Sequence, residues 1–96
     1  MYDVKVLHLL DKVIESIRII QQRTESIHCV NDFLDSETGT LLLDGVCMKL
    51  IASGESIKNL DKLTAGNLLV YYLQIPWREV MGMRDIIVHH YFEVDD

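Results

Sequence analysis

Val4, Leu7, Leu10, Ile14 and Ile17 follow one another at steps of 3, 3, 4 and 3. Val6, Leu9, Val13 and Ile20 form a second apolar stripe beside the first. That spacing is the period of an α-helix, not the alternation of a half-buried strand. It predicts a helix over about Asp3 to Arg23. A helix with two apolar faces packs against two neighbours, and in a chain of 96 residues one of them can belong to another subunit.

The remaining segments repeat the pattern. Thr24 to Ser36 reads as a short helical segment with Ile27, Val30, Phe33 and Leu34 as its apolar residues. Ser36, Thr38, Gly39 and Thr40 interrupt it and offer an N-cap. The next helix is predicted from about Leu41 to Leu60, with Leu43, Val46, Leu50, Gly54 and Ile57 on its stripe. A glycine inside a helix costs about 1 kcal/mol against alanine, so Gly54 on the buried face implies the close approach of another backbone. Lys62 to Ala65 opens a further helix or turn. Leu68 to Leu73 favours helix, and Val70-Tyr71-Tyr72 keeps a strand as the alternative. The last helix starts at Ile75-Pro76-Trp77-Arg78-Glu79, with Pro76 at the first helical position and Trp77 as a packing anchor. The expectation is an all-α protein, an antiparallel bundle of four or five helices, with residues 1–96 forming one domain.

Charge narrows the function. Fifteen acidic residues face nine basic ones, for a formal charge of −6. Broad, sequence-independent nucleic-acid binding needs a basic face, so the balance leaves room only for a small, local phosphate site. Cys29 and Cys47 form no C-x-x-C pair and are expected to be reduced, buried thiols in a cytoplasmic protein. Asp3, Lys5 and Asp11 interrupt the N-terminal apolar residues, which therefore do not resemble a secretory leader. The longest uncharged run, Thr64 to Trp77, is too short to span a bilayer, and no membrane association is expected.

The chemistry gathers on the last helix. Val80, Met83, Ile87, His90 and Val94 step by 3, 4, 3 and 4, which makes them its buried stripe. His90 then reads as a core histidine, while Arg84 and His89 fall off the stripe. Arg84 and Tyr91 are seven residues apart and share a face to within about 20°. Arg84 and His89 are five apart, about 140° round a regular helix. They converge through the long Arg stem, through a loosening of the helix near its end, or across a subunit boundary. Asp85 and His89 are four apart and within reach of each other; a carboxylate beside an imidazole orients the ring and raises its pKa.

Arg84-x4-His89-x-Tyr91 resembles the R-x4-H-x-Y motif of HepT-like toxins in the HEPN superfamily. Ile75-Pro76-Trp77-Arg78-Glu79 followed by Gly82-Met83-Arg84 is similar to that family's approach to the motif, and Gly54-Glu55-Ser56 followed by Leu60 to its Gly-Glu-Ala segment. One departure is His90, where the family often carries glycine. The resemblance implies an all-helical homodimer with both motifs at a cleft between subunits. It implies a toxin that cleaves RNA without a metal or other cofactor, with Arg84 and His89 as catalytic residues. The implied partner is a minimal nucleotidyltransferase (MNT) antitoxin that attaches AMP to Tyr91.

The chemistry of these residue types agrees with that implication. Metal-free cleavage needs a base for the 2′-hydroxyl proton and an acid for the leaving oxygen, and histidine suits both near neutrality. An arginine binds the extra charge of the phosphorane bidentately. Asp85 and Glu55 are the supporting candidates; Glu55 in any other setting is a solvated helix residue. His89, His90, Glu93, Asp95 and Asp96 admit a metal reading, but there is no H-E-x-x-H pattern and no nearby cysteine, so no metal is expected. A phosphate loop is absent from the sequence. Two other classes stay open: a non-catalytic subunit that serves as substrate or partner of a nucleotidyltransferase, and an unrelated helical oligomerisation protein.

Overall fold

The computed structural model describes residues 4–89, and every regular element among them is helical. Helix α1 spans Val4–Arg23, α2 Val30–Leu34, α3 Glu37–Leu63, α4 Trp77–Met81 and α5 Met83–Ile87, with a short 3₁₀ turn at Leu69–Tyr72 between α3 and α4. The strand alternative for Val70-Tyr71-Tyr72 is therefore not adopted. The described residues extend over 47 × 28 × 22 Å.

Helix α1 lies antiparallel to α3. Lys5 and His8, near its start, share a cleft with Asn59 and Lys62, near the end of α3. The packing chooses between the two apolar stripes of α1. Val6 and Val13, on the second stripe, are buried. Val4, Leu7, Ile14 and Ile17, on the first, remain 81%, 53%, 50% and 44% exposed. The core is small: Val13, Ile57 and Leu69 form its centre, with Trp77, Val80 and Met81 packed against them. Leu60, 2% exposed, extends it along α3. Full burial of such a side chain stabilises by about 1.5–3 kcal/mol.

Local chemistry sets the ends of the elements. The Ser36 hydroxyl accepts the Gly39 backbone N–H at 2.9 Å, so Ser36 is the N-cap of α3. Thr38, Gly39 and Thr40, expected to break the pattern, lie inside the first turn, and α3 starts four residues earlier than Leu41. At the other end the Gly66 N–H reaches back to the Asp61 carbonyl at 3.0 Å. Ala65 and Gly66 have φ of 52° and 76°, the left-handed pair that closes a helix C-terminus.

The structure corrects three further expectations. Cys29 is exposed at the start of α2, because that helix contributes no buried side chain; only Cys47 is buried. The last helix is not continuous: it breaks at Gly82, which separates α4 from α5. Pro76 sits at the N-cap of α4 rather than inside its first turn, and Trp77 opens the helix. The anchor role of Trp77 holds. Its ring packs on the core, and its indole N–H donates to the Tyr72 carbonyl at 2.9 Å. No helix among the described residues is long and apolar enough to cross a membrane.

Candidate functional site

The geometry of the site begins with Gly54. A Cβ added there would meet the Val80 carbonyl oxygen at 2.6 Å and the Met83 Cβ at 3.5 Å. The last turn of α4 and the first residue of α5 therefore rest directly on the α3 backbone. Val80 and Met83 are half-buried at this seat, as the stripe Val80, Met83, Ile87 requires. Arg84 and Asp85 follow immediately and point away, with side chains 58% and 76% exposed. Glu55 follows Gly54 on α3 and is half-buried.

Arg84 Nη1 lies 3.6 Å from Asp85 Oδ1. An ion pair this exposed contributes little to stability. It leaves the guanidinium oriented in solvent, open to a competing anion. Beyond Ile87 the chain continues through Val88 and His89 as a wider, π-type turn. A π-type turn advances fewer degrees per residue than an α-helix. The widening thus lowers the angular offset between Arg84 and His89 that a regular helix would impose. Turns of this kind occur frequently at functional sites. His89, the last described residue, is exposed. His90 and Tyr91, together with Glu93, Asp95 and Asp96 of the metal reading, lie outside the described residues.

Arg84, Asp85 and His89 thus lie on one short segment seated on α3 through Val80 and Met83 at Gly54, and Glu55 is the residue that follows that seat on α3. Apolar spacing carries no sign of the break at Gly82; the glycine itself, two residues before Arg84, is the signal for it.

The family model described as "Ribonuclease HepT-like" matches residues 13–96. The chain belongs to the HepT-like ribonuclease family. HepT-like relatives agree with that assignment. A Methanocaldococcus jannaschii protein named "Gamma-glutamylcyclotransferase and putative RNase" is 37% identical over 93 residues, covering 97% of this chain and 37% of its own. A Thermococcus cleftensis protein named "Probable ribonuclease HepT" is 36% identical over 87 residues, covering 90% of this chain and 71% of its own. A Caldanaerobacter subterraneus protein named "Putative RNase" is 28% identical over 86 residues, covering 90% and 70%. This HepT-like chain thus spans little more than a third of the length of the first of these relatives and about seven-tenths of the other two. No solved structure matches it.

Proposed function

We propose that this HepT-like chain is the toxin of a toxin–antitoxin pair, a metal-independent RNA endonuclease whose catalytic residues are Arg84 and His89. The observation that carries the reading is the exposed Arg84 guanidinium on a helix seated through Gly54, one widened turn before His89. Residues 1–96 act as one domain in the cytoplasm and work as a homodimer. The exposed stripe Val4, Leu7, Ile14 and Ile17 on α1 supports self-association, since it leaves apolar surface that the monomer does not cover.

A two-fold dimer supplies two histidines to one cleft. One His89 takes the proton of the RNA 2′-hydroxyl, whose oxygen attacks the adjacent phosphorus. The bond from phosphorus to the 5′-oxygen breaks, and the second His89 gives that oxygen a proton. Arg84 binds the phosphorane oxygens as their charge grows. Asp85 and Glu55 hold this pair in position. No metal or other cofactor takes part. An MNT-type nucleotidyltransferase antitoxin restrains the toxin by adding AMP to Tyr91. An adenylate there carries negative charge to the helical face of Arg84 and opposes entry of the anionic substrate.

The test is cleavage of labelled RNA in the presence of a chelator. The unmodified chain should cut, and Arg84→Ala and His89→Ala should each lose at least about a hundredfold in rate. Their melting temperatures should stay near that of the parent, because exposed positions usually change stability by no more than about 0.5 kcal/mol. A parent chain that arrests no growth and cuts no RNA would overturn the reading. Co-expression with the nucleotidyltransferase should add the mass of AMP to the parent and none to Tyr91→Phe.

A further inference from the structure

Lys5 and His8 on α1 and Asn59 and Lys62 on α3 line one cleft of about 410 Å³, floored by Leu9 and Leu63. Among the described residues no carboxylate lines it, in a chain whose acidic residues outnumber its basic ones by fifteen to nine. Among the described residues neither lysine forms an ion pair; the pairs present are Arg18 with Glu15 and Arg84 with Asp85. The neighbouring cleft is different. There Lys12 and Lys49 face Asp11 and Glu15, so its cations are balanced by carboxylates. Among the described residues, cationic side chains without acids thus converge at one concavity, and they come from two different helices, α1 and α3. Leu9 and Leu63 offer apolar surface along which lysine stems can lie while their ammonium groups stay in water. Two ammonium groups, an imidazole and a carboxamide provide hydrogen-bond donors on two sides of an anion.

We propose that this cleft is a binding subsite for a backbone phosphate of single-stranded RNA, apart from the segment that carries Arg84 and His89. The assignment of RNA as the ligand rests on the nuclease reading above. Lys5 and Lys62 neutralise the phosphate, Asn59 donates to its oxygens, and His8 closes the side formed by α1. Such a subsite anchors a flanking part of the strand, so a chain of net negative charge can still hold a polyanion at two local points. The contacts are to phosphate and select no base.

The experiment is fluorescence anisotropy of a labelled single-stranded RNA titrated at several salt concentrations, on an Arg84→Ala background that cannot cut the probe. Lys5→Gln with Lys62→Gln should weaken binding about tenfold and lower the slope of log K against log salt by about 1.4, two contacts at about 0.7 each. Lys12→Gln with Lys49→Gln removes the same charge from the balanced cleft and should leave the slope as it was. Circular dichroism establishes that both double variants keep their helices, and Lys5→Arg with Lys62→Arg should restore the slope. Equal loss in both double variants means a net-charge effect and overturns the proposal, as does an unchanged slope or a parent that binds no RNA. RNA binding with the expected slope loss, by a parent that never cuts RNA, would sustain the subsite and overturn the nuclease. Cleavage with an unchanged slope would do the reverse.

Discussion

The Val80 carbonyl oxygen approaches Gly54 so closely that a Cβ on residue 54 would sit 2.6 Å from it. A backbone carbonyl cannot swing aside as a side-chain tip can. Helix propensity alone would make Gly54→Ala stabilising by about 1 kcal/mol. The contact reverses the sign: overpacking against backbone costs about 1–3 kcal/mol. We expect Gly54→Ala to lower the urea midpoint, lift α4 and α5 from α3, and weaken RNA cleavage although residue 54 carries no reacting group. A variant as stable as the parent would show that α4 does not rest there.

Ala65 takes the opposite substitution. Its φ of 52° is left-handed, a conformation that costs a residue with a Cβ about 1–2 kcal/mol. Ala65→Gly relieves that strain and loses part of the gain to the greater freedom of glycine in the unfolded chain. The net expectation is a gain of about 0.5 kcal/mol. Gly66→Ala, at φ 76°, should instead lose about 1 kcal/mol. Paired urea melts of the two variants check the opposite signs.

Ile14 is 50% exposed on the unburied stripe of α1. If that stripe forms the subunit contact, Ile14→Glu inserts a charge into an apolar interface and weakens the dimer by about 2 kcal/mol or more. Light scattering should report twice 11.1 kDa for the parent and 11.1 kDa for the variant, with helix content unchanged. A parent that is monomeric at micromolar concentration would refute the homodimer, and a variant that stays dimeric would move the contact to another face.

Asp32 sits in the first turn of α2, and its Oδ2 accepts the His28 backbone N–H at 2.7 Å. That hydrogen bond, with smaller help from Cys29 and His28, holds the carboxyl below its ordinary 3.8. A carboxylate whose folded pKa is depressed stabilises the protein above its unfolded pKa, and the benefit fades as pH falls through the folded value. Asp32→Asn should therefore melt below the parent near neutrality, and the two curves should converge at the acid end. A gap that persists at low pH would assign the effect to something other than ionisation. The group is fully exposed, so the gap is expected to be small.

Much of the architecture is written in local spacing. The steps of α1 and α3 determine that they are helices, because residues three and four apart stack on one helical face whatever they later touch. The same arithmetic sets Arg84 off the stripe of Val80, Met83 and Ile87, and marks Gly54 as a point of close approach. What spacing cannot decide is which of two equally apolar faces is buried. Val13 and Ile14 are adjacent and alike in hydrophobicity, yet only Val13 reaches the core, because α3 docks on that side. Nor does it decide that Cys29 stays in solvent, or that the helix breaks at Gly82 and widens at Val88 and His89. Lys5 and Lys62 meet only because α1 and α3 run antiparallel. Periodicity is a property of neighbours along the chain, whereas the choice of face and the meeting of distant charges are made by contacts between elements far apart in it.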